Sequence, residues 1–338
     1  MIKDKVLSIL KNRKDYISGE TVSRELGVSR AAVNKAVKAL QSEGYMISAV
    51  NNKGYLLSES PDILSEQELA ALLPKERMEN IFIYDSIPST NLRLSELAYE
   101  GASDMTVAIA NEQTKGRGRR GRSFSSPKNK GIYLSCLMLR REAPEDVTEI
   151  TAWTAVAVAK AIETVCGAFV SVKWVNDLIL GGKKICGILT EMSIENESRS
   201  IRNIIIGIGI NVNEEPSDFD EDIRLTASSI SAELGKKINR AKLAAELIRR
   251  LDKLNEDFPS NKAEYLNYYR EHCLFVGNRI LVYETNKRGG SESSEDAVEA
   301  EALSINDDFS IKVRLPDTGE VKDLSSGEVS IRGLNGYI

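Results

Sequence analysis

The chain has 338 residues, of which 42% are apolar and 28% are charged, and its formal net charge is −5. This composition excludes disordered, collagen-like and disulfide-scaffold proteins, and the length predicts about two or three domains at ~150 residues each. No apolar run reaches the ~18 residues that cross a bilayer, and the first residues lack a signal-peptide core, so we expect a cytoplasmic protein without membrane contact. Four separated cysteines and a single histidine leave little material for a zinc site or a histidine-based triad.

The first 60 residues form a basic head, with ten Lys or Arg against six Asp or Glu on an otherwise acidic chain. Three helices followed by a β-hairpin are predicted here. The second helix covers 20–26 and ends at Gly27, and the third covers 30–43 with Ser29 as its N-cap. The hairpin covers 45–57 and turns through an Asn-Asn-Lys-Gly sequence.

Two helices joined by a short turn, with a basic second helix and a following hairpin, predict a winged helix-turn-helix domain that binds DNA. In this motif the second helix enters the major groove, where Arg and Asn read base edges and Lys contacts phosphates. The alternatives are a small helical bundle with a solvated basic face, or a winged helix that binds protein. The candidate DNA contacts are Ser29, Arg30, Ala32, Asn34, Lys35, Lys38 and, in the wing, Lys53.

Strands and helices then alternate in a way typical of a mixed α/β domain over 75–270, within an α+β protein. Predicted helices cover 65–72, 91–101, 151–166, 241–257 and 262–271. Predicted strands cover 81–84, 106–110, 132–139, 170–174, 177–180, 184–192 and 204–212.

From residue 274 onward the pattern changes to short strands separated by turn residues, which predicts a small β-barrel over 274–338. The strands are expected at 279–283, 297–305, 309–315 and 329–332, with a mobile loop over 286–294. The three predicted domains therefore cover 1–62, 75–270 and 274–338.

The most unusual segment is the arginine loop, defined here as residues 111–130, which contains seven basic residues against Glu112 alone. Its glycines let backbone N–H groups approach an anion, and its guanidinium groups add paired donors for phosphate or carboxylate oxygens. The segment matches neither a Walker loop nor a dinucleotide fingerprint. A disordered nucleic-acid-binding segment is the alternative, although predicted strands on both sides favour a phosphate loop within the core.

Two further stretches have the residue types of an anion site. Lys173, Asn176 and Asp177 lie at a corner before a Gly-Gly turn that leads to Lys184, and such groups can hold Mg²⁺ and neutralise developing charge. A plain Asn-Asp turn with an exposed lysine is the alternative. In the strand over 204–212, glycines alternate, so they share one face and leave either a flat ligand groove or a site of close strand packing.

Together these stretches resemble the biotin protein ligases, in the bifunctional form that is also the biotin operon repressor. The resemblance extends over most of residues 80–215, and the head and the 325–332 segment extend it over nearly the whole chain. The matching segments are Ser89-Thr90-Asn91, Glu112-Gln113, Gly116 to Arg122, Tyr133-Leu134-Ser135, Lys173-Trp174, Asn176-Asp177, Lys184, Gly187-Ile188-Leu189, Gly207, and Gly209-Ile210-Asn211.

The resemblance implies a class II synthetase-like ligase domain, an SH3-like C-terminal barrel, and an adenylate-forming biotin–[biotin carboxyl-carrier protein] ligase. Its substrates would be biotin and ATP with Mg²⁺, and its acceptor a biotin carboxyl carrier protein or another carboxylase acceptor domain. Lys184 and Arg119 would be the catalytic residues. The biotin pocket would comprise Ser89, Thr90, Asn91, Gln113, Gly116, Arg117, Arg119, Tyr133, Lys184, Gly187, Gly207 and Gly209. The ATP and adenylate site would comprise Arg120, Arg122, Phe124, Asn176, Asp177 and Asn211, with Asp177 as a magnesium ligand.

The resemblance also implies regulation, in which adenylate binding promotes a homodimer that brings two heads to operator DNA. Three residues depart from the family pattern: Val175 stands where many members have proline, Phe124 where tryptophan is frequent, and Cys186 where a small apolar residue is usual. None of these changes removes a charged group. A ligand-sensing transcription factor without ligase activity, a ligase with a vestigial head, and a lipoate or octanoyl ligase are the alternatives.

Overall fold

The computed structural model describes residues 2–51, 53–139, 147–194, 201–284, 297–325 and 329–333. Contact clustering divides the chain into two compact units. Unit 1 comprises Met1–Glu79 and Asn239–Ala245, and unit 2 comprises Asn80–Ile238 and Glu246–Ile338. Within the described residues, no helix is both long and apolar enough to span a bilayer.

Unit 1 begins with the three helices and the hairpin that the sequence predicts. The elements are α1 (Ile2–Lys11), α2 (Gly19–Leu26), α3 (Arg30–Ser42), β1 (Met46–Val50) and β2 (Gly54–Glu59). Ser29 caps α3, since its hydroxyl accepts from the N–H of Ala32 at 3.2 Å. Gly27 ends α2 with φ of 64°, a conformation that glycine adopts without steric cost.

Two short helices, α4 (Glu66–Ala70) and α5 (Lys75–Met78), continue unit 1 beyond the predicted end of the head at residue 62. Glu68 of α4 is buried and accepts a hydrogen bond from the Tyr45 hydroxyl at 2.6 Å, while Lys11 Nζ lies 2.5 Å from the same oxygen. A buried carboxylate needs such partners, so this cluster ties α4 to the end of α1 and to the segment before β1.

Unit 2 contains a seven-stranded mixed sheet. Its strands are β3 (Ile81–Tyr84), β4 (Val107–Ala110), β5 (Ile132–Met138), β6 (Ser171–Lys173), β7 (Asp177–Leu180), β8 (Lys183–Ile194) and β9 (Ile201–Ile210). The spatial order is β3-β4-β5-β9-β8-β7-β6; β3 and β4 are parallel and the other neighbours antiparallel. The helices are α6 (Thr90–Tyr99), α7 (Val147–Cys166), α8 (Ile230–Leu234), α9 (Arg240–Asp257), which begins in unit 1, and α10 (Lys262–His272).

The C-terminal strands form a five-stranded antiparallel sheet in the order β13-β12-β11-β10-β14. They are β10 (Arg279–Glu284), β11 (Ala297–Ile305), β12 (Ile311–Arg314), β13 (Val321–Leu324) and β14 (Val329–Gly333), of which β13 is absent from the sequence prediction. The predicted loop over 286–294 lies outside the described residues. Trp174 donates its indole N–H to the carbonyl of Phe309 at 2.8 Å, so this sheet contacts the corner that precedes β7.

Candidate active site

The floor of the site is a glycine-lined strip on strands β8 and β9. Gly187 of β8 pairs with Gly209 of β9, and Leu189 pairs with Gly207. A Cβ atom at Gly207 would collide with the Asn91 amide, and one at Gly209 would collide with the Phe124 ring. The glycine face is therefore covered by side chains rather than by another strand, which favours the ligand groove over close strand packing.

The N-terminus of α6 lies against this floor and is held by polar contacts. Ser89, Thr90 and Asn91 are all buried. Gln113 accepts from the Thr90 backbone N–H at 2.9 Å through Oε1 and donates to Ser126 Oγ at 3.0 Å through Nε2. These bonds fix the start of α6 relative to both ends of the arginine loop.

The first cavity lies above the glycine floor and has a volume of about 50 Å³. Ten of the twelve residues predicted for a biotin pocket line it, together with residues predicted for the nucleotide. The lining comprises Ser89, Thr90, Asn91, Gln113, Arg117, Gly118, Arg119, Phe124, Asn176, Lys184, Gly187, Ile188, Leu189, Gly207, Ile208 and Gly209.

The other two predicted pocket residues do not line this cavity. Tyr133 is fully buried, and its hydroxyl donates to the carbonyl of Pro127 at 2.9 Å. Gly116 lies at the base of the arginine loop, where its carbonyl accepts from the Phe124 N–H at 3.0 Å. Tyr133 therefore contacts the arginine loop from outside it, whereas Gly116 is part of the loop, and neither residue lines the cavity.

The arginine loop is held in place through its side chains and one turn. Arg119 donates to Asn176 Oδ1 at 3.2 Å, and Arg120, with φ of 57°, donates to the carbonyl of Val329 at 3.1 Å. Burial lowers the pKa of Arg119, and the neighbouring guanidinium of Arg120 lowers it further, while Asp177 opposes the change. The loop therefore places a half-buried cation beside the first cavity.

Lys184 lies at the start of β8, with its Nζ atom 2.7 Å from Oδ1 of Asp177. Both residues line a second cavity of about 470 Å³ that adjoins the first. The two cavities share Gly118, Arg119, Phe124, Asn176 and Lys184. Two cationic side chains, Arg119 and Lys184, thus stand where the cavities meet.

All six residues predicted for the nucleotide line the second cavity, together with others that the resemblance does not assign to it. Lys173 and Trp174 come from the corner before β7, and Ile331 and Arg332 come from β14. The full lining comprises Gly118, Arg119, Arg120, Arg122, Ser123, Phe124, Ser125, Lys173, Trp174, Asn176, Asp177, Lys184, Asn211, Phe219, Asp222, Ile223, Thr226, Ala227, Val329, Ile331 and Arg332.

Glu191 is a further residue that the sequence reasoning missed. It lies two positions after Leu189 on β8, and Leu189 lines the first cavity. Since residues i and i+2 of a strand share a face, the alternation of Gly187, Leu189 and Glu191 was a signal that could have revealed it.

For a metal ion, the described residues contain no group of three His, Cys, Asp or Glu side chains close enough to act as ligands together. The Asp177 carboxylate is already engaged by Lys184. Because Mg²⁺ is usually held by one or two carboxylates plus substrate phosphates, these residues fit an ion that arrives with a triphosphate better than a resident one.

In unit 1, the predicted DNA-contacting residues lie on the surface. Ser29, Arg30, Asn34, Lys35, Lys38 and Lys53 are exposed, and Ala32 is half-buried. Asn34 donates to the Tyr55 hydroxyl at 3.2 Å, which links the exposed face of α3 to the hairpin. The basic side chains of α3 and Lys53 of the hairpin are therefore accessible at the surface of the head.

Comparisons with known families match both units. The model of the biotin/lipoate A/B protein ligase family matches residues 83–211, and a helix-turn-helix domain model matches residues 3–56. The bifunctional ligase/repressor BirA of Bacillus subtilis strain 168 is 36% identical over 321 residues, which cover 94% of each chain. The protein of the same name from Escherichia coli K12 is 29% identical over 329 residues, which cover 97% of this chain and 96% of that one.

Among solved structures, the biotin protein ligase from Aquifex aeolicus in complex with biotin and ATP is similar, with a TM-score of 0.63 and 26% identity. The match covers 75% of this chain and 99% of the Aquifex chain.

Proposed function

The chain belongs to the family of bifunctional biotin protein ligases and biotin operon repressors, and from this membership we infer that it is an ATP-dependent biotin protein ligase that also represses biotin genes. In the first step, the biotin carboxylate attacks the α-phosphorus of ATP, which gives biotinyl-5′-AMP and releases pyrophosphate. In the second step, the ε-amine of an acceptor lysine attacks the carbonyl carbon of this mixed anhydride, and AMP leaves. The acceptor is a biotin carboxyl carrier protein.

The observation that carries the ligase proposal is the pair of cations at the junction of two cavities. The smaller cavity, over the glycine floor, takes biotin, and the larger one takes ATP. The carboxylate and the α-phosphate then meet beside Lys184 and Arg119. Both reactants are anions, so positive charge at their meeting point lowers the barrier by offsetting repulsion and developing negative charge.

Water exclusion is the second requirement, because the mixed anhydride is prone to hydrolysis. The Phe124 ring lies against Gly209 and close to Gly187, and so covers the floor. At about 50 Å³ the first cavity holds only a few water molecules in this form, so biotin enters when the Phe124 ring and the arginine loop shift. The closed loop then shields the adenylate.

Incubation of the purified protein with biotin, MgATP and a carboxyl carrier domain tests the ligase activity. We expect one biotin on one lysine of the carrier, measured by intact-mass spectrometry, and pyrophosphate release that depends on biotin. A protein that binds biotin but produces no biotinylated carrier would be a ligand-sensing transcription factor instead.

For magnesium, we propose that the ion enters bound to the triphosphate and that Asp177 and Asn176 face it from the corner before β7. The ion would shield phosphate charge when it is bound. The chain's own contribution is to orient Asp177, whose carboxylate pairs with Lys184 at 2.7 Å. Replacement of Asp177 with Asn should raise the Mg²⁺ concentration needed for half-maximal pyrophosphate release.

For the head, we propose operator binding through α3 and the wing. A gel shift with DNA from upstream of biotin genes tests this, with and without biotin and ATP. The double variant Lys35→Ala/Lys38→Ala should weaken operator binding. It should also reduce by about two the steepness with which the logarithm of the binding constant falls against the logarithm of the salt concentration. Lys14→Ala, which removes an exposed lysine outside α3 and the wing, is the matched control. Unchanged operator affinity in the double variant would indicate a vestigial head.

We further propose that the protein acts in the cytoplasm and that it forms a homodimer when the adenylate is bound. Two heads in one dimer would match the two half-sites of a palindromic operator. Sedimentation of the protein with and without biotin and ATP measures the predicted association.

A further inference from the structure

Glu191 connects the floor of the first cavity to the arginine loop. Its Oε2 atom accepts from Asn91 Nδ2 at 2.8 Å, and its Oε1 atom lies 2.9 Å from Arg117 Nη2. Asn91 and Arg117 both line the cavity, whereas Glu191 does not. The carboxylate therefore reaches the cavity through these two side chains.

On the floor side, the contact fixes the orientation of the Asn91 amide. Asn91 Oδ1 accepts from the Ser135 hydroxyl at 2.5 Å, and Asn91 Nδ2 faces Glu191. The other acceptor near Nδ2 is the carbonyl of Leu189, at the longer distance of 3.4 Å. Since an acceptor carboxylate can only face the amide NH₂, Glu191 excludes the flipped orientation of Asn91.

On the loop side, the contact supplies an opposite charge to a strongly basic segment. Residues 111–130 contain seven basic residues, so the loop experiences internal repulsion. The side chain of Arg117 is 52% exposed and that of Glu191 is 31% exposed, so the pair is screened only in part. The Glu191 carboxylate thus draws the first arginine of the loop toward the cavity wall.

We propose that Glu191 is a positioning residue that couples the floor of the biotin cavity to closure of the arginine loop. This inference rests on the proposed ligase function. Without the carboxylate, Arg117 is released from the wall and biotin escapes more readily, while the reacting groups at Lys184 and Arg119 keep their places. Loss of the Glu191 carboxylate therefore speeds the dissociation of biotin and leaves the rate of the chemical step unchanged.

The variants Glu191→Gln and Glu191→Ala separate the two contacts. Glutamine keeps an oxygen for Asn91 but loses the charge that attracts Arg117, whereas alanine loses both. We expect the KM for biotin and the biotin dissociation rate to rise about five-fold in Glu191→Gln and about thirty-fold in Glu191→Ala, with kcat within about two-fold of the wild type. The matched control is Glu96→Gln, which breaks the Arg93–Glu96 pair of the same 2.9 Å length on α6.

A double-mutant cycle with Arg117→Gln distinguishes coupling from a general structural effect. In the Arg117→Gln background, Glu191→Gln should add no further rise in the KM for biotin. Fully additive effects, or a Glu191→Gln enzyme that equals the wild type, would overturn the inference while the ligase activity of the wild type stands. A wild-type protein that neither binds biotin nor biotinylates a carrier would overturn the proposed function, and this inference with it.

Discussion

The floor of the first cavity and the arginine loop above it are held by different kinds of interaction. The floor consists of β8 and β9, whose backbones pair continuously from Cys186 with Ile210 to Ser193 with Asn203. The loop has little regular structure, and its arginines reach partners on other elements, namely Asn176, Val329 and Glu191. Backbone pairing fixes the shape of the floor. The position of the loop is fixed instead by contacts of its arginine side chains with other elements, and these side chains also repel one another.

This difference indicates how substitutions should act on each side. A side chain added to the floor has nowhere to go, because the paired strands cannot separate around it. A side chain removed from the loop leaves other contacts in place, so its loss should weaken binding by degrees. Substitutions in the two regions test this contrast.

Gly207→Val should abolish biotin binding, with a loss of more than about 100-fold. A Cβ at this position already collides with the Asn91 amide, and the two γ-methyl groups of valine would fill the space above the floor. Isothermal titration with biotin measures the loss. The control is Ile206→Val, on the opposite face of β9, which should bind biotin normally and lose only about 1 kcal/mol of stability. Tight biotin binding by Gly207→Val would show that the floor and the side chains above it can move to make room for the valine side chain.

Lys184→Ala should reduce the rate of adenylate formation about 100- to 1,000-fold and affect biotin binding much less. Lys184 lies at the junction of the cavities, where negative charge develops as the carboxylate meets the phosphate. Single-turnover pyrophosphate release measures the rate. Lys183→Ala removes the neighbouring lysine, which lines neither cavity, and should leave that rate unchanged. Normal adenylation by Lys184→Ala would remove the main electrostatic argument for this site.

Arg120→Ala should raise the KM for ATP about tenfold, the effect of one charge-assisted hydrogen bond, with a small change in the KM for biotin. The Arg120 guanidinium donates to the carbonyl of Val329 on β14 at 3.1 Å, and Val329 lines the second cavity. Steady-state kinetics, with ATP and biotin varied in turn, measures the two KM values. The exposed Arg314, paired with Glu301 at 2.9 Å, is a control position for an Arg→Ala change. An equal rise in both KM values would indicate that the loop moves as one rigid piece.

The sequence could predict the floor better than the loop, and the reason is the range of the contacts. Glycines at alternate positions of a strand lie on one face, so the sequence alone indicates that face. Lys184 and Asp177 are close in the chain, so their proximity in space could also be expected. The partners of the loop come from distant positions: Val329 is 209 residues from Arg120. Contacts of that range carry no local pattern, so the sequence indicates only the neighbourhood of Ile331 and Arg332, residues 325–332, and not their place in the cavity lining.

Two other differences have local physical reasons. Strand β13 was missed because three of its four residues are exposed, so it lacks the alternation that marks a half-buried strand. Tyr133 lies directly across from Gly209 in the sheet, which makes it look like a pocket residue. Its hydroxyl instead contacts Pro127, Gly131 and Glu214 beneath the arginine loop. The partners of a buried hydroxyl cannot be inferred from the strand pattern alone.

Glu214 is a buried carboxyl whose Oε1 atom accepts from the Tyr133 hydroxyl at 3.2 Å. Burial raises the pKa of this carboxyl to about 7, with Asp218 adding repulsion and the hydrogen bond from Tyr133 opposing it. Since the folded-state pKa lies above the unfolded one, Glu214 binds protons more tightly in the folded state. The contribution of this carboxyl to stability is therefore fully present below its unfolded-state pKa of about 4.5 and is lost as the pH rises through 7.

Glu214→Gln should remove that loss, because glutamine stays neutral at every pH. We expect the variant to gain about 3 kcal/mol of stability over the wild type at pH 8, and the gain should vanish toward pH 4.5. Urea unfolding across this pH range measures the difference. Glu215→Gln, at the exposed neighbour, is the matched control. Because Glu214 lines neither cavity, the KM for biotin should not change. A higher KM for biotin would mean that a substitution beneath the arginine loop affects biotin binding as much as a substitution at the contacts above the cavity.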